Sequence, residues 1–151
     1  MESYRLLGNE NSQPASRKVY RDVRHADAMW PGQIITMLYE VVPTGQRTGR
    51  LFSVQVGYRQ PGPEAAKLVS AKVDDSAKSF DNASRDFRFA GAVALFGMLL
   101  RDSEYSGDGD FATVRRLARG AIGGEDAHER REFLELVDLA EKIVGGMKAK
   151  G

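Results

Sequence analysis

Between Phe89 and Leu100 the chain carries no polar side chain: Phe-Ala-Gly-Ala-Val-Ala-Leu-Phe-Gly-Met-Leu-Leu. No other stretch restricts folding as much. A run this apolar is expected to be buried on most sides, yet it is shorter than the roughly 18 residues that a membrane-spanning helix requires. Ala90, Gly91, Ala92, Ala94 and Gly97 recur at helical spacings, so neighbouring backbones could approach closely. The run predicts the central helix of a core, about Arg85–Ser103, capped by Ser84 or Asp86. It constrains architecture and carries no chemistry.

The two sides of that helix differ in periodicity. Upstream the pattern is that of strands. Tyr4–Leu7 is a short candidate, Val19–Val23 a weaker one, and Asn9–Ser16 a polar loop. Gln33–Val42 is β-branched and aromatic, with Ile35, Met37, Tyr39 and Val41 on one face. Leu51–Arg59 alternates, placing Phe52, Val54, Val56 and Tyr58 opposite Ser53, Gln55, Gly57 and Arg59. The turn chemistry of Pro43–Gly49 predicts that these two strands form an antiparallel hairpin, and Lys67–Val73 supplies a further strand. Downstream the pattern is helical. Asp110 precedes Phe111, Val114, Leu117, Ala118, Ala121 and Ile122, the spacing of one helix face, which Gly123-Gly124 should end. A last helix should open with an Asp126/Glu129 capping box. It should bury Phe133, Leu136, Val137, Ala140, Ile143 and Val144 and end at Gly145-Gly146. Strands followed by helices argue an α+β domain, with a mainly antiparallel sheet of about four strands and three helices. Residues 1–151 are read as one domain, strand-rich over 1–80 and helical over 83–148.

The 22 basic and 21 acidic residues leave no net field for nucleic acid or anionic lipid. Arg115, Arg116 and Arg119 are the nearest approach to a basic cluster, and read as a solvated helix face. The absence of cysteine excludes disulfides, thiolate zinc sites and cysteine nucleophiles. Met1–Arg5 has neither the basic start nor the apolar run of a signal peptide.

Candidate chemistry is sparse. His25 and His128 are the two histidines, and no spacing rule unites them; His128 should be exposed early in the last helix. The acidic loop Asp102–Asp110 fails the calcium-loop pattern, because the twelfth position is Thr113 or Arg119 according to the start chosen. Asp74-Asp-Ser-Ala-Lys78 approaches a metal-ion-dependent adhesion motif, but Lys78 stands where a second Ser is required and would repel the cation. Gly120–Gly124 follows a helix and lacks the Lys-Ser/Thr ending of a phosphate loop, and no Gly-x-Ser-x-Gly elbow occurs. Glu132 and Glu135 fall on a helix flank, where solvated charge is the ordinary outcome. Trp30, the single tryptophan, precedes Pro31-Gly32; it either plugs the end of a sheet or anchors a partner.

Several blocks together carry a family resemblance. Tyr4-Arg-Leu-Leu-Gly-Asn-Glu-Asn11, Thr36-Met-Leu-Tyr-Glu40, Tyr58-Arg-Gln-Pro61, Phe87–Arg101 and Arg131-Glu-Phe-Leu-Glu-Leu-Val137 occur in order. The sequence resembles the C-terminal region of bacterial von Willebrand factor type A (VWA) domain proteins of the YfbK type. The resemblance implies a domain that follows a VWA domain, in the cell envelope or periplasm, as the tail part of a larger protein. Gly32-Gln33 stands where that family usually has Gly-His, and the VWA metal site does not carry over to any residue here. The resemblance also raises the prospect that strands from elsewhere in such a protein pack with those of this region, so that the isolated chain would self-associate.

The expectation is therefore a non-catalytic accessory or scaffold domain, using no cofactor or metal, that makes protein–protein contacts, above all with the VWA domain of its parent chain. Trp30 and Tyr39 are the candidate contact residues. The alternatives are a small-ligand-binding module, which would show an apolar pocket with a few polar groups, and a small hydrolase whose site no motif reveals.

Overall fold

A computed structural model of the chain describes residues 3–7, 30, 32–43, 49–63, 65–75, 79–124 and 126–148. The elements run β1 (Ser3–Leu6), β2 (Tyr39–Val42), β3 (Arg50–Tyr58), β4 (Lys67–Asp74), α1 (Arg85–Leu100), α2 (Phe111–Arg119) and α3 (Ala127–Lys148). Short 3-10 turns at Phe80–Asn82 and Glu104–Ser106 precede and follow α1. The fold is α+β, and its strands pair antiparallel throughout.

The four strands do not share one sheet. β1 pairs with β2, and β3 pairs with β4, giving two separate two-stranded sheets. The expected hairpin between the second and third strands is thus replaced by one across Pro61–Pro63, where Gly62 adopts φ +120°. The reason is register: Phe52, Val54 and Val56 meet Val73, Ala71 and Val69, so the two alternating segments align apolar with apolar on one face. Tyr39–Val42 is the part of the Gln33–Val42 candidate that becomes strand. The Val19–Val23 candidate, the Asn9–Ser16 loop and His25 lie outside the described residues, as do most of the Pro43–Gly49 turn and Ser76–Lys78 of the near-miss adhesion motif.

The buried core lies among the helices. Ala92, Leu95 and Met98 of α1 meet Val114 and Ala118 of α2 and Val137 of α3. Phe133 stands edge-on to both Phe89 and Phe96, with ring centroids 5.3 Å apart in each pair. This is the favoured aromatic geometry. The Ser84 hydroxyl caps α1 by accepting from the Phe87 amide at 3.2 Å, and the Asp110 carboxylate caps α2 by accepting from Thr113 N–H at 2.7 Å.

Four helical expectations need correction. The Phe89–Leu100 run is buried along one face only, at Ala92, Leu95 and Met98, while Val93 and Leu100 are exposed. α2 ends at Arg119, before Ala121 and Ile122, while α3 continues through Gly145-Gly146 to Lys148. Leu136 and Ile143, expected inside, are exposed, because α2 covers only the flank of α3 that carries Val137.

Two glycines permit close approaches. A Cβ on Gly91 would lie 2.6 Å from the Phe80 ring, which covers α1 there. A Cβ on Gly109 would lie 2.5 Å from Leu95 Cδ1 and 2.8 Å from the Ser106 carbonyl oxygen. The first conflict can be relieved by moving a partly exposed ring; the second opposes a core side chain and backbone. Gly109→Ala is therefore expected to destabilise the bundle more than Gly91→Ala. Val137→Ala, at a fully buried position, should cost about 1–2.5 kcal/mol. Urea titration followed by helical circular dichroism measures all three.

Candidate functional site

The candidate contact residues lie on the strand side of the molecule. Trp30 is 78 % exposed, so it does not plug a sheet. A tight local turn holds its backbone: Trp30 N–H donates to the Gln33 side-chain carbonyl at 3.1 Å, and Gln33 N–H donates back to the Trp30 carbonyl at 3.0 Å. Along the same extended segment Ile34, Ile35, Met37 and Tyr39 are also exposed. An indole and four further large apolar side chains thus stand in solvent within ten residues, from Trp30 to Tyr39. Tyr39 joins this segment to the β1–β2 sheet, where its ring lies 6.2 Å from that of Tyr4.

The sheet is fastened to the helical unit by Arg5. Its guanidinium pairs with Glu40 across the strands and lies over the Tyr105 ring at 3.7 Å from the centroid. Such a cation–π contact is worth about 0.5–2 kcal/mol. Tyr39 is therefore carried on a ribbon anchored at the loop that follows α1. No sequence signal pairs Arg5 with Tyr105, a hundred residues apart.

The helical unit is organised around buried Arg130, whose side chain is 7 % exposed. Its guanidinium donates to the Ala121 carbonyl at 2.7 Å, to Asp86 at 2.5 Å and to Asp126 at 3.2 Å, and lies over the Phe89 ring. Asp126 thus serves Arg130 in addition to opening α3. Arg115, expected on a solvated face, instead bridges to α3, donating to Glu141 at 2.6 and 3.2 Å and to Asp138 at 3.3 Å. Arg116 pairs with Asp81 at 3.3 Å. These arginines serve structure.

Other candidates disperse. His128 is exposed, 3.9 Å from Glu132. The Asp102–Asp110 loop forms a 3-10 turn whose Ser103 hydroxyl accepts from the Tyr105 amide, and its last residue is the α2 cap. Asp74 faces Arg50 at 3.9 Å. Among the described residues no group of three or more His, Asp and Glu could hold a metal ion, and no helix is long and apolar enough to cross a membrane. Two shallow hollows stand out. One, of about 270 Å³, is lined by Ser3, Tyr4, Arg5, Glu40 and Val42. The other, about 430 Å³, runs along the outer face of α1 between Val93, Ala94, Gly97, Leu100 and Arg101. Gly97 lies open to this groove, so it admits no neighbouring backbone within the described chain.

Residues 46–143, from just before β3 to near the end of α3, match the family model described as "Uncharacterized protein YfbK, C-terminal". The family match takes in β3–β4 and the helices and leaves β1–β2, with Trp30 and Tyr39, outside it. The chain belongs to the YfbK C-terminal family. It is 26 % identical over 159 aligned positions to "Uncharacterized protein YfbK" of Escherichia coli strain K12. That alignment covers 93 % of this chain and 27 % of the relative, so the chain spans about a quarter of the relative's length. No solved structure matches it.

The charged links predict that the bundle is acid-sensitive. Hydrogen bonding from Arg130 holds the Asp86 carboxyl below the usual carboxylate range, Arg115 does the same for Glu141, and the Thr113 bonds do so for Asp110. A carboxylate depressed on folding contributes stability that is complete above its unfolded value, near pH 4, and is lost as pH falls through its lower folded value. The urea midpoint should be flat from pH 5 to 7 and fall below about pH 4; an unchanged midpoint at pH 3 would refute this. Arg130→Ala removes three hydrogen bonds and the packing on Phe89, and should cost about 2–4 kcal/mol at pH 7.

Proposed function

We propose that this chain is a non-catalytic scaffold domain that docks against the rest of a YfbK-type polypeptide, with a VWA domain as the intended neighbour, in an assembly at the cell envelope. The observation that carries the reading is the exposed segment from Trp30 to Tyr39. Large apolar side chains in solvent cost free energy, and aromatic ones such as Trp30 and Tyr39 are enriched among the residues that dominate the energetics of protein interfaces. The Arg5 anchor supports it at Tyr39, because a ribbon already held in place loses less entropy on docking than a free one. The relative's length supports it too: nearly three quarters of E. coli YfbK lies outside the matched region and offers a neighbour in the same chain.

The test is calorimetric titration of the chain with that remainder of E. coli YfbK, with and without magnesium. Saturable binding that Trp30→Ala weakens about tenfold or more, as for a hot-spot residue, is the expected result. Magnesium dependence would tie the contact to a VWA metal site. No heat, with both pieces shown to be folded, would overturn the reading.

A further inference from the structure

The β3–β4 hairpin has two chemically different faces. Register places Phe52, Val54, Val56, Val69, Ala71 and Val73 on one side, closed at the far end by Tyr58 opposite Lys67. Ser53, Gln55, Gly57, Ser70 and Lys72 occupy the other, with Leu68 its one large apolar side chain. One-sided alternation is the pattern of a sheet with one face on a core. Here that face is open: Val56 and Val69 are each 55 % exposed, and Val54 and Tyr58 are exposed as well. An isolated two-stranded hairpin is at best marginally stable in water. The segment nevertheless lies inside the matched family region, together with the helices.

We propose that the apolar face of β3–β4 is a docking surface for another segment of the same YfbK-type polypeptide, one that presents branched aliphatic side chains. This rests on the scaffold reading above and names a second surface for it. Size decides between the same polypeptide and a second copy of the chain. Eight paired residues at about 3.4 Å each, across two strands, offer a face of roughly 300 Å². A stable association between separate molecules needs about 800 Å² from each partner. By itself the face is thus too small to hold a free partner. A tether changes the balance, because a linked segment acts at an effective concentration on the order of millimolar. A contact with a millimolar dissociation constant, about −4 kcal/mol, is then substantially occupied.

The chain has no cysteine, so single thiols report on each face. Val56→Cys and, as the polar-face control, Gln55→Cys would be placed in the isolated chain. Both would also be placed in E. coli YfbK whose matching segment is replaced by this chain. Labelling at each peptide is read by mass spectrometry. The expected result is fast labelling of both thiols in the isolated chain, and in the joined polypeptide labelling of Cys at 56 slowed about tenfold or more with no change at 55. Equal labelling at 56 in both contexts overturns the proposal. If the titration above still shows binding, only this face is lost and the scaffold reading stands. If binding is absent too, both fall. Protection at 56 that appears in the isolated chain as its concentration rises, with a dimer in sedimentation, would make the second copy the occupant and overturn the proposal.

Discussion

One buried guanidinium holds the ends of three helices. Arg130, in the first turn of α3, reaches Asp86 in the first turn of α1, the Ala121 carbonyl just beyond α2, and Asp126 immediately before α3. A cation this deep is tolerable only when its donors are satisfied, and the planar fork of arginine reaches several acceptors in different directions at once. The arrangement fixes where α1 begins, how the chain leaves α2 and where α3 starts. The aromatic cluster of Phe89, Phe96 and Phe133 then packs on the frame that those ends define. At the other end of the α2–α3 pair, Arg115 clamps Asp138 and Glu141, so helix packing is set at two points by charge and between them by apolar contact.

The two sheets stand in a different position. β1–β2 is attached through Arg5, which pairs with Glu40 and lies over the Tyr105 ring. β3–β4 satisfies its own ladder along eight paired positions but leaves its apolar face uncovered. The molecule therefore grades from a closed helical core to open sheet surfaces. The exposed stripe of Leu136, Leu139 and Ile143 on α3 and the groove beside Gly97 on α1 belong to the same pattern.

Much of the secondary structure was legible from local rules. The Ser84 and Asp110 caps, the apolar face of α2 and the alternation of β3 all follow from side-chain chemistry within a few residues. The pairing of strands was not. Turn residues after Val42 suggested one hairpin, whereas matched apolar registers produced another across Pro61–Pro63. Arg115 read as solvated because its partners lie 23 and 26 residues away on another helix. The candidate contact residues were legible as an aromatic and a tyrosine near a strand; that Ile34, Ile35 and Met37 stand exposed beside them was not.

By itself the sequence determined that the chain is α+β, with a strand-rich half and a helical half, and that it has no thiol chemistry and no recognisable phosphate or calcium loop. Those properties depend on residue type and on spacing within a turn or a strand. The tertiary structure decided which strands pair, which helix faces are buried, and that Arg130 joins three elements. These are outcomes of competition among contacts distant in the chain, where several local choices are nearly equal and only simultaneous packing and hydrogen-bond satisfaction selects one.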